Sequence, residues 1–302
     1  MSAILAQLAP IFVYFGLGVL LKRLSVADAS HGDFLLRLAF FVTLPLLILI
    51  SLSKTPLTFE KAILPVANIA VNLACMLTTL GLSRLLVLDR KTTGTMLINT
   101  MIVNNAFMFP FILAVYGERG FSDAILFDFG NAMMVATYTY AVAFKYGGQR
   151  HSSWTMLIKV LKAPLFWALA VAVGLSLTGT ALPKRIEVII GPLAQMTSPL
   201  ILISLGIFFS LKIAELRLVT LAVVIRMVLG LIFGVVIATL LGLEGTTFVV
   251  ISLCAAAPIG FMALTFSSLA KLDIRLSSSA VSISILVGLI YIPILILFFG
   301  IH

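Results

Sequence analysis

The chain has 302 residues, 62% of them hydrophobic and 10% charged. A soluble domain carries about 25% charged and about 45–50% apolar residues, so an ordinary soluble domain is excluded and a polytopic membrane protein is indicated. The net charge of +9, from 20 basic and 11 acidic residues, sits mostly in short loops between apolar runs. The Lys/Arg enrichment of cytoplasmic loops accounts for it without a nucleic-acid partner.

Apolar runs of about 20 residues, the length that crosses a bilayer core, recur ten times: 4–21, 34–53, 62–87, 95–116, 122–144, 163–179, 188–210, 217–241, 246–270 and 277–300. The first has no basic segment before it, and Lys22-Arg23 follow it, the reverse of a cleavable signal peptide. Loops after odd-numbered spans carry 14 Lys and Arg, the other side 5. That bias puts both termini outside and the long central loop in the cytoplasm; the expected location is the inner (plasma) membrane, as a multi-pass chain. The longest linker, 145–162, is too short for a soluble domain.

The third span carries Asn68 and Asn72, one turn apart and facing the interior. In the fourth, Asn104-Asn105-Ala106-Phe107-Met108-Phe109-Pro110 interrupts an apolar run. Proline deletes a backbone donor, and in hydrocarbon each freed carbonyl needs another partner. A broken helix is expected here, with the gap facing protein or a wet cavity. The helix continuing from Pro110 presents free N–H groups that suit an anion. The asparagines contact substrate or ion, or only cap the break.

In the fifth span Asp128 and Asn131 share a face at i and i+3. An intramembrane carboxylate is a functional candidate by default. It takes a coupling proton, helps bind Na⁺, or reaches outward to Arg119. In the eighth span Arg226 lies about 14 Å deep at 1.5 Å per residue. It binds a substrate carboxylate bidentately or pairs with Asp128. The ninth span is interrupted at Ala257-Pro258-Ile259-Gly260, where Gly260 lets a ligand or another helix come close. The serines that open the tenth span, Ser284 among them, fit close helix packing.

An internal repeat runs through these spans. Pro10-Ile-Phe-Val matches Pro164-Leu-Phe-Trp, and Leu47-Ile-Leu-Ile-Ser-Leu-Ser matches Leu200-Ile-Leu-Ile-Ser-Leu-Gly, at offsets of 154 and 153. Pro110 and Pro258 fall in the same order, and offset 154 sets Arg226 against Asn72. Five spans per half require the second half to enter from the opposite side. The expected fold is therefore all-α integral membrane, with ten transmembrane helices in two inverted five-helix repeats, broken at helices 4 and 9. The first repeat covers 1–145, a cytoplasmic linker 146–162, and the second repeat 163–302.

Cys75 and Cys254 lie inside apolar spans and give no disulfide framework. His31, His151 and His302 are scattered, so no metal site or catalytic set is expected, and no phosphate-binding Gly-rich loop implies ATP.

Leu44-Pro-Leu-Leu-Ile-Leu-Ile-Ser-Leu-Ser, the run from Asn104 to Gly120, Ala257-Pro258 and Leu276-Ser-Ser-Ser-Ala-Val together resemble the auxin efflux carrier family of permeases, which has bacterial members and includes the plant PIN-FORMED carriers. The likeness spans nearly the whole chain. It departs from the usual pattern where Met108 runs directly into Phe109 without a glycine. The resemblance implies a fold like that of the bile acid–sodium symporters: spans 4 and 9 cross at their prolines, spans 1, 2, 6 and 7 form a scaffold, and spans 3–5 and 8–10 form a moving core. It also implies that Asn104 or Asn105 meets an organic anion's carboxylate.

The function expected is secondary active transport of small organic anions, auxin-like or dicarboxylate, by alternating access, as in a symporter driven by H⁺ or Na⁺. The alternatives are a passive anion channel or a membrane receptor; an intramembrane enzyme lacks converging catalytic residues. Expected substrate-binding residues are Asn104, Asn105, Pro110, Pro258, Gly260 and Arg226; expected coupling residues are Asp128, Asn131 and Asn72. Beyond a coupling Na⁺ or H⁺ no cofactor is expected. The expected partners are the anion and the lipid bilayer, with a homodimer as an open assembly.

Overall fold

The computed structural model describes residues 2–148, 157–158, 161–180, 182–209 and 215–299. Most of the expected linker, 149–156 and 159–160, lies outside them. Among the described residues the chain is all-helical, with a single isolated β-bridge. Six helices among the described residues are long and apolar enough to cross a membrane: Ala6–Arg23, Ala29–Ser53, Phe59–Leu85, Lys184–Phe208, Leu216–Leu240 and Ile274–Phe299. The molecule is a multi-pass membrane protein, since exposed apolar side chains such as Phe12, Phe41, Leu77, Trp167 and Ile290 need lipid rather than water around them.

In chain order the helices are α1 (Ser2–Arg23), α2 (Ala29–Ser53), α3 (Leu64–Leu85), α4 (Arg90–Met101), α5 (Asn105–Met134), α6 (Tyr140–Tyr146), α7 (Pro164–Leu177), α8 (Lys184–Gln195), α9 (Thr197–Phe208), α10 (Leu216–Leu240), α11 (Gly245–Ala255), α12 (Met262–Leu269) and α13 (Ile274–Phe299). Wider π turns interrupt this run at Ala39–Thr43, Val135–Thr139 and Val224–Leu229. Such turns insert an extra residue into the ladder and often re-aim side chains at functional positions. Gly117 breaks α5 into two arms with φ 62°, a left-handed backbone that glycine adopts without a Cβ penalty.

The chain divides into two compact units. The first comprises Met1–Ala62, Ala106–Ile125 and Leu161–Phe209. In it α1 packs along α9, and α2 along α7. Buried polar groups are satisfied between helices: Thr197 Oγ1 donates to Thr43 Oγ1 at 3.0 Å and Ser204 Oγ to the Gly32 carbonyl at 2.7 Å. At one end of this unit Lys54 Nζ bridges Glu118 at 3.2 Å and Glu187 at 2.5 Å.

The second unit comprises Ile63–Asn105, Leu126–Val160 and Ser210–His302. In it α3 packs on α4 and α10, α10 on α11, and α4 on α6 and α13. Met76, Leu97, Met101, Met134 and Val142 form a compact apolar cluster there. All sequence-predicted site residues except Pro110 belong to this unit.

Candidate functional site

The fourth apolar run is broken, but not where proline alone would break it. Helix α4 ends at Met101, residues 102–104 are extended, and α5 begins at Asn105. Pro110 lies inside α5, which corrects the expectation that it opens the gap. At that depth in the helix it forfeits only the bond its nitrogen would give the Ala106 carbonyl. The ladder opens earlier because residues 102–104 find backbone partners elsewhere.

Those partners are in the second break, between α11 (Gly245–Ala255) and α12 (Met262–Leu269). Val103 and Ile259 form an antiparallel bridge. The Asn104 N–H donates to the Pro258 carbonyl and the Gly260 N–H to the Ile102 carbonyl, both at 2.9 Å. Each break thus satisfies the other, as an unsolvated backbone requires. Gly260 makes the approach feasible: a Cβ there would lie 2.7 Å from Ile102 Cγ2 and 3.0 Å from the Val103 carbonyl oxygen. Of the two roles expected for it, the close approach of the other stretch of backbone is the one seen.

Two side chains extend this backbone pairing. Asn131 acts as a peptide surrogate: its Oδ1 accepts from the Val103 N–H at 3.4 Å, and its Nδ2 donates to the Val103 carbonyl at 3.3 Å. Ser284 Oγ accepts from the Ile259 N–H at 3.1 Å. Sequence alone assigned Ser284 to helix packing. The repeat offset was the missed signal, because Ser284 stands 153 residues after Asn131.

Around the first break lies a polar cluster. Asn105 Nδ2 and Asn131 Nδ2 both donate to Asp128 Oδ1, at 2.8 and 2.9 Å. Asn105 is buried with its Oδ1 lacking a hydrogen-bond partner, while Asp128 is half-buried. The two adjacent asparagines therefore differ: Asn104 supplies a backbone N–H to the bridge, Asn105 a side chain to the carboxylate. Asp128 pairs with amides and not with Arg119. The cluster offers carboxylate and amide oxygens, a donor set for a proton or a hard cation.

Arg226 does not pair with Asp128, which corrects one of its two expected roles. It is fully buried, Nη1 donates to Asn72 Oδ1 at 2.8 Å and to the Thr100 carbonyl at 3.0 Å, and Nη2 donates to the Ala255 carbonyl at 2.8 Å. No carboxylate pairs with it among the described residues. The last carbonyls of α4 and α11 lack partners within their own helices and carry the negative end of each helix dipole, so they compete successfully for the guanidinium. Each charged hydrogen bond contributes about 1.5–3 kcal/mol. Asn72, expected in coupling, accepts from Arg226 and donates to Asn68 Oδ1 at 2.7 Å.

Asp123 drew no attention in the sequence, yet it is buried and pairs with Lys61 at 2.9 Å in the first unit. A cavity of about 440 Å³ in that unit is lined by Glu118, Lys184 and Glu187 among others, and by none of the sequence-predicted site residues.

Comparison with known proteins agrees with a membrane transporter. The family model described as "Membrane transport protein" matches residues 3–296. A protein of Methanothermobacter thermautotrophicus named an uncharacterized transporter is 27% identical over 286 residues, covering 92% of both chains. A similarly named protein of Methanocaldococcus jannaschii is 24% identical over 289 residues, covering 91% of this chain and 92% of its own. With the match running almost end to end, the chain belongs to the membrane transport protein family that includes the auxin efflux carriers.

Proposed function

We propose that the protein is a secondary active transporter of small organic anions, carboxylates of the auxin-like or dicarboxylate type, working by alternating access. The observation that carries this reading is the pair of helix breaks hydrogen-bonded to each other beside Asn105, Asp128 and Asn131. Interrupted helices meeting at a polar cluster are how many carriers build a substrate and ion site. In this reading the start of α5 at Asn105 receives the carboxylate, and Asp128 carries the coupling proton or Na⁺.

Two residue pairs support the inverted ten-helix repeat. Thr43 bonds to Thr197 and Asn72 to Arg226, and each pair is separated by 154 residues, the offset read from the sequence. Equivalent positions of two repeats touch each other when they lie close to the axis relating the repeats. Spans 3–5 and 8–10 then move against spans 1, 2, 6 and 7, in the inner membrane with both termini outside. The residues at the breaks favour transport over catalysis, since they bind and position without a nucleophile or metal set.

The test is counterflow in proteoliposomes loaded with a panel of carboxylates, under imposed H⁺ or Na⁺ gradients. Saturable counterflow driven by one gradient is expected. A non-saturable leak without counterflow would replace the carrier with a passive anion channel, and ligand-dependent stabilisation without flux would indicate a receptor.

A further inference from the structure

We propose that Arg226 is a resident cation: it fills the place between two sets of helix-end carbonyls that an alkali ion would otherwise take, so the joined ends of α4 and α11 hold without Na⁺.

The oxygens around the guanidinium come from three separate elements: the Thr100 carbonyl in the last turn of α4, the Ala255 carbonyl ending α11, and Asn72 Oδ1 on α3. All three are neutral acceptors, and two are the negative poles of interrupted helices. Carriers with broken helices use such C-terminal carbonyls to coordinate coupling cations. Here the positive charge is covalently part of the chain.

The surrounding structure is shaped to hold it. Arg226 sits within the π turn Val224–Leu229, and one turn on, Gly230 leaves room for the contact. A Cβ on Gly230 would lie 2.4 Å from the Ala255 carbonyl oxygen and 3.0 Å from Arg226 Nη2. The repeat explains why only one half supplies the charge. Positions 72 and 226 are equivalent and touch, so two arginines there would repel. One half gives the cation and the other an amide oxygen to receive it.

For the transport cycle the consequence is that the breaks stay tied through every state, and any coupling ion binds elsewhere, at Asp128. That consequence rests on the carrier reading; the tie itself does not.

The experiment is thermal unfolding of the purified protein, which needs no substrate, so its outcome is separate from that of counterflow. Arg226→Ala is expected to melt several degrees below the unsubstituted protein. Millimolar guanidinium should restore at least half of the loss, and equimolar urea, a neutral molecule of the same shape, should not. Unchanged melting of Arg226→Ala, or equal action of guanidinium and urea, would overturn the proposal. Should Arg226→Ala not be recovered folded, the Asp128→Asn variant decides: its melting temperature is expected to be the same in NaCl as in choline chloride. Na⁺-dependent stabilisation persisting in Asp128→Asn would overturn the resident cation.

Discussion

The two helix breaks bond to each other as equals through backbone, yet they differ sharply in side chains. The first is flanked by Asn104 and Asn105 and overlooked by Asp128 and Asn131; the second is Ala256-Ala257-Pro258-Ile259-Gly260, where Ser284 accepts from the Ile259 N–H. Polar side chains gather at the first break, and the tight backbone approach is made at the second. In the proposed reading the first break meets the ligand, while the second supplies the room in which the two backbones pair.

Substitutions at the two breaks should therefore separate uptake from stability. Asn105→Leu leaves Asp128 with one amide fewer and should cut uptake about 10–100-fold, the scale of one charge-assisted hydrogen bond. Its melting temperature should move little; a large fall in melting with normal uptake per folded molecule would reverse the assignment. Gly260→Ala should do the opposite. Its Cβ would crowd Ile102 and Val103, costing about 1–3 kcal/mol, read as a lower melting temperature and yield. Ser284→Ala strands the Ile259 N–H and should cost about 1–2 kcal/mol while substrate affinity holds.

The starts of the two interrupted helices sharpen the comparison at smaller scale. Asp89 caps α4, accepting from the Lys91 and Thr92 N–H groups, whereas Glu244 before α11 makes no side-chain cap. Asp89→Ala should therefore cost about 1 kcal/mol, and Glu244→Ala close to nothing. The Thr92 hydroxyl, more than the backbone bonds, holds the Asp89 carboxyl below its usual range. A depressed carboxyl stabilises the fold above its unfolded pKa near 4 and loses that contribution as pH falls through its folded value. Acid melting curves of Asp89→Ala should accordingly lack a small part of the loss seen in the unsubstituted protein.

The breaks were legible in sequence because amides, glycine and proline are costly inside an apolar run unless the helix is interrupted there. Their exact place was not: Pro110 drew the eye, but where a ladder opens depends on which carbonyls find partners across space, here Pro258 and Gly260. Arg226 was read by its charge and depth, which name a substrate or a carboxylate as readily as a helix end. Two of its three acceptors are main-chain carbonyls, which leave no trace in residue identity. The pairing of Asn72 with Arg226, by contrast, was already implied by the repeat offset. The same offset applied to Asn131 would have singled out Ser284.

The bridge of Val103 with Ile259 also limits how this chain can change in length. In extended backbone each added residue advances the chain by about 3.3 Å and turns the following side chains to the other face. One residue inserted between Met101 and Asn105 would pull the Asn104 N–H off Pro258 and swing Asn105 away from Asp128 in a single step. Insertions and deletions should thus survive only in the connections between spans, while the five residues from Met101 to Asn105 admit substitution but not a change of count.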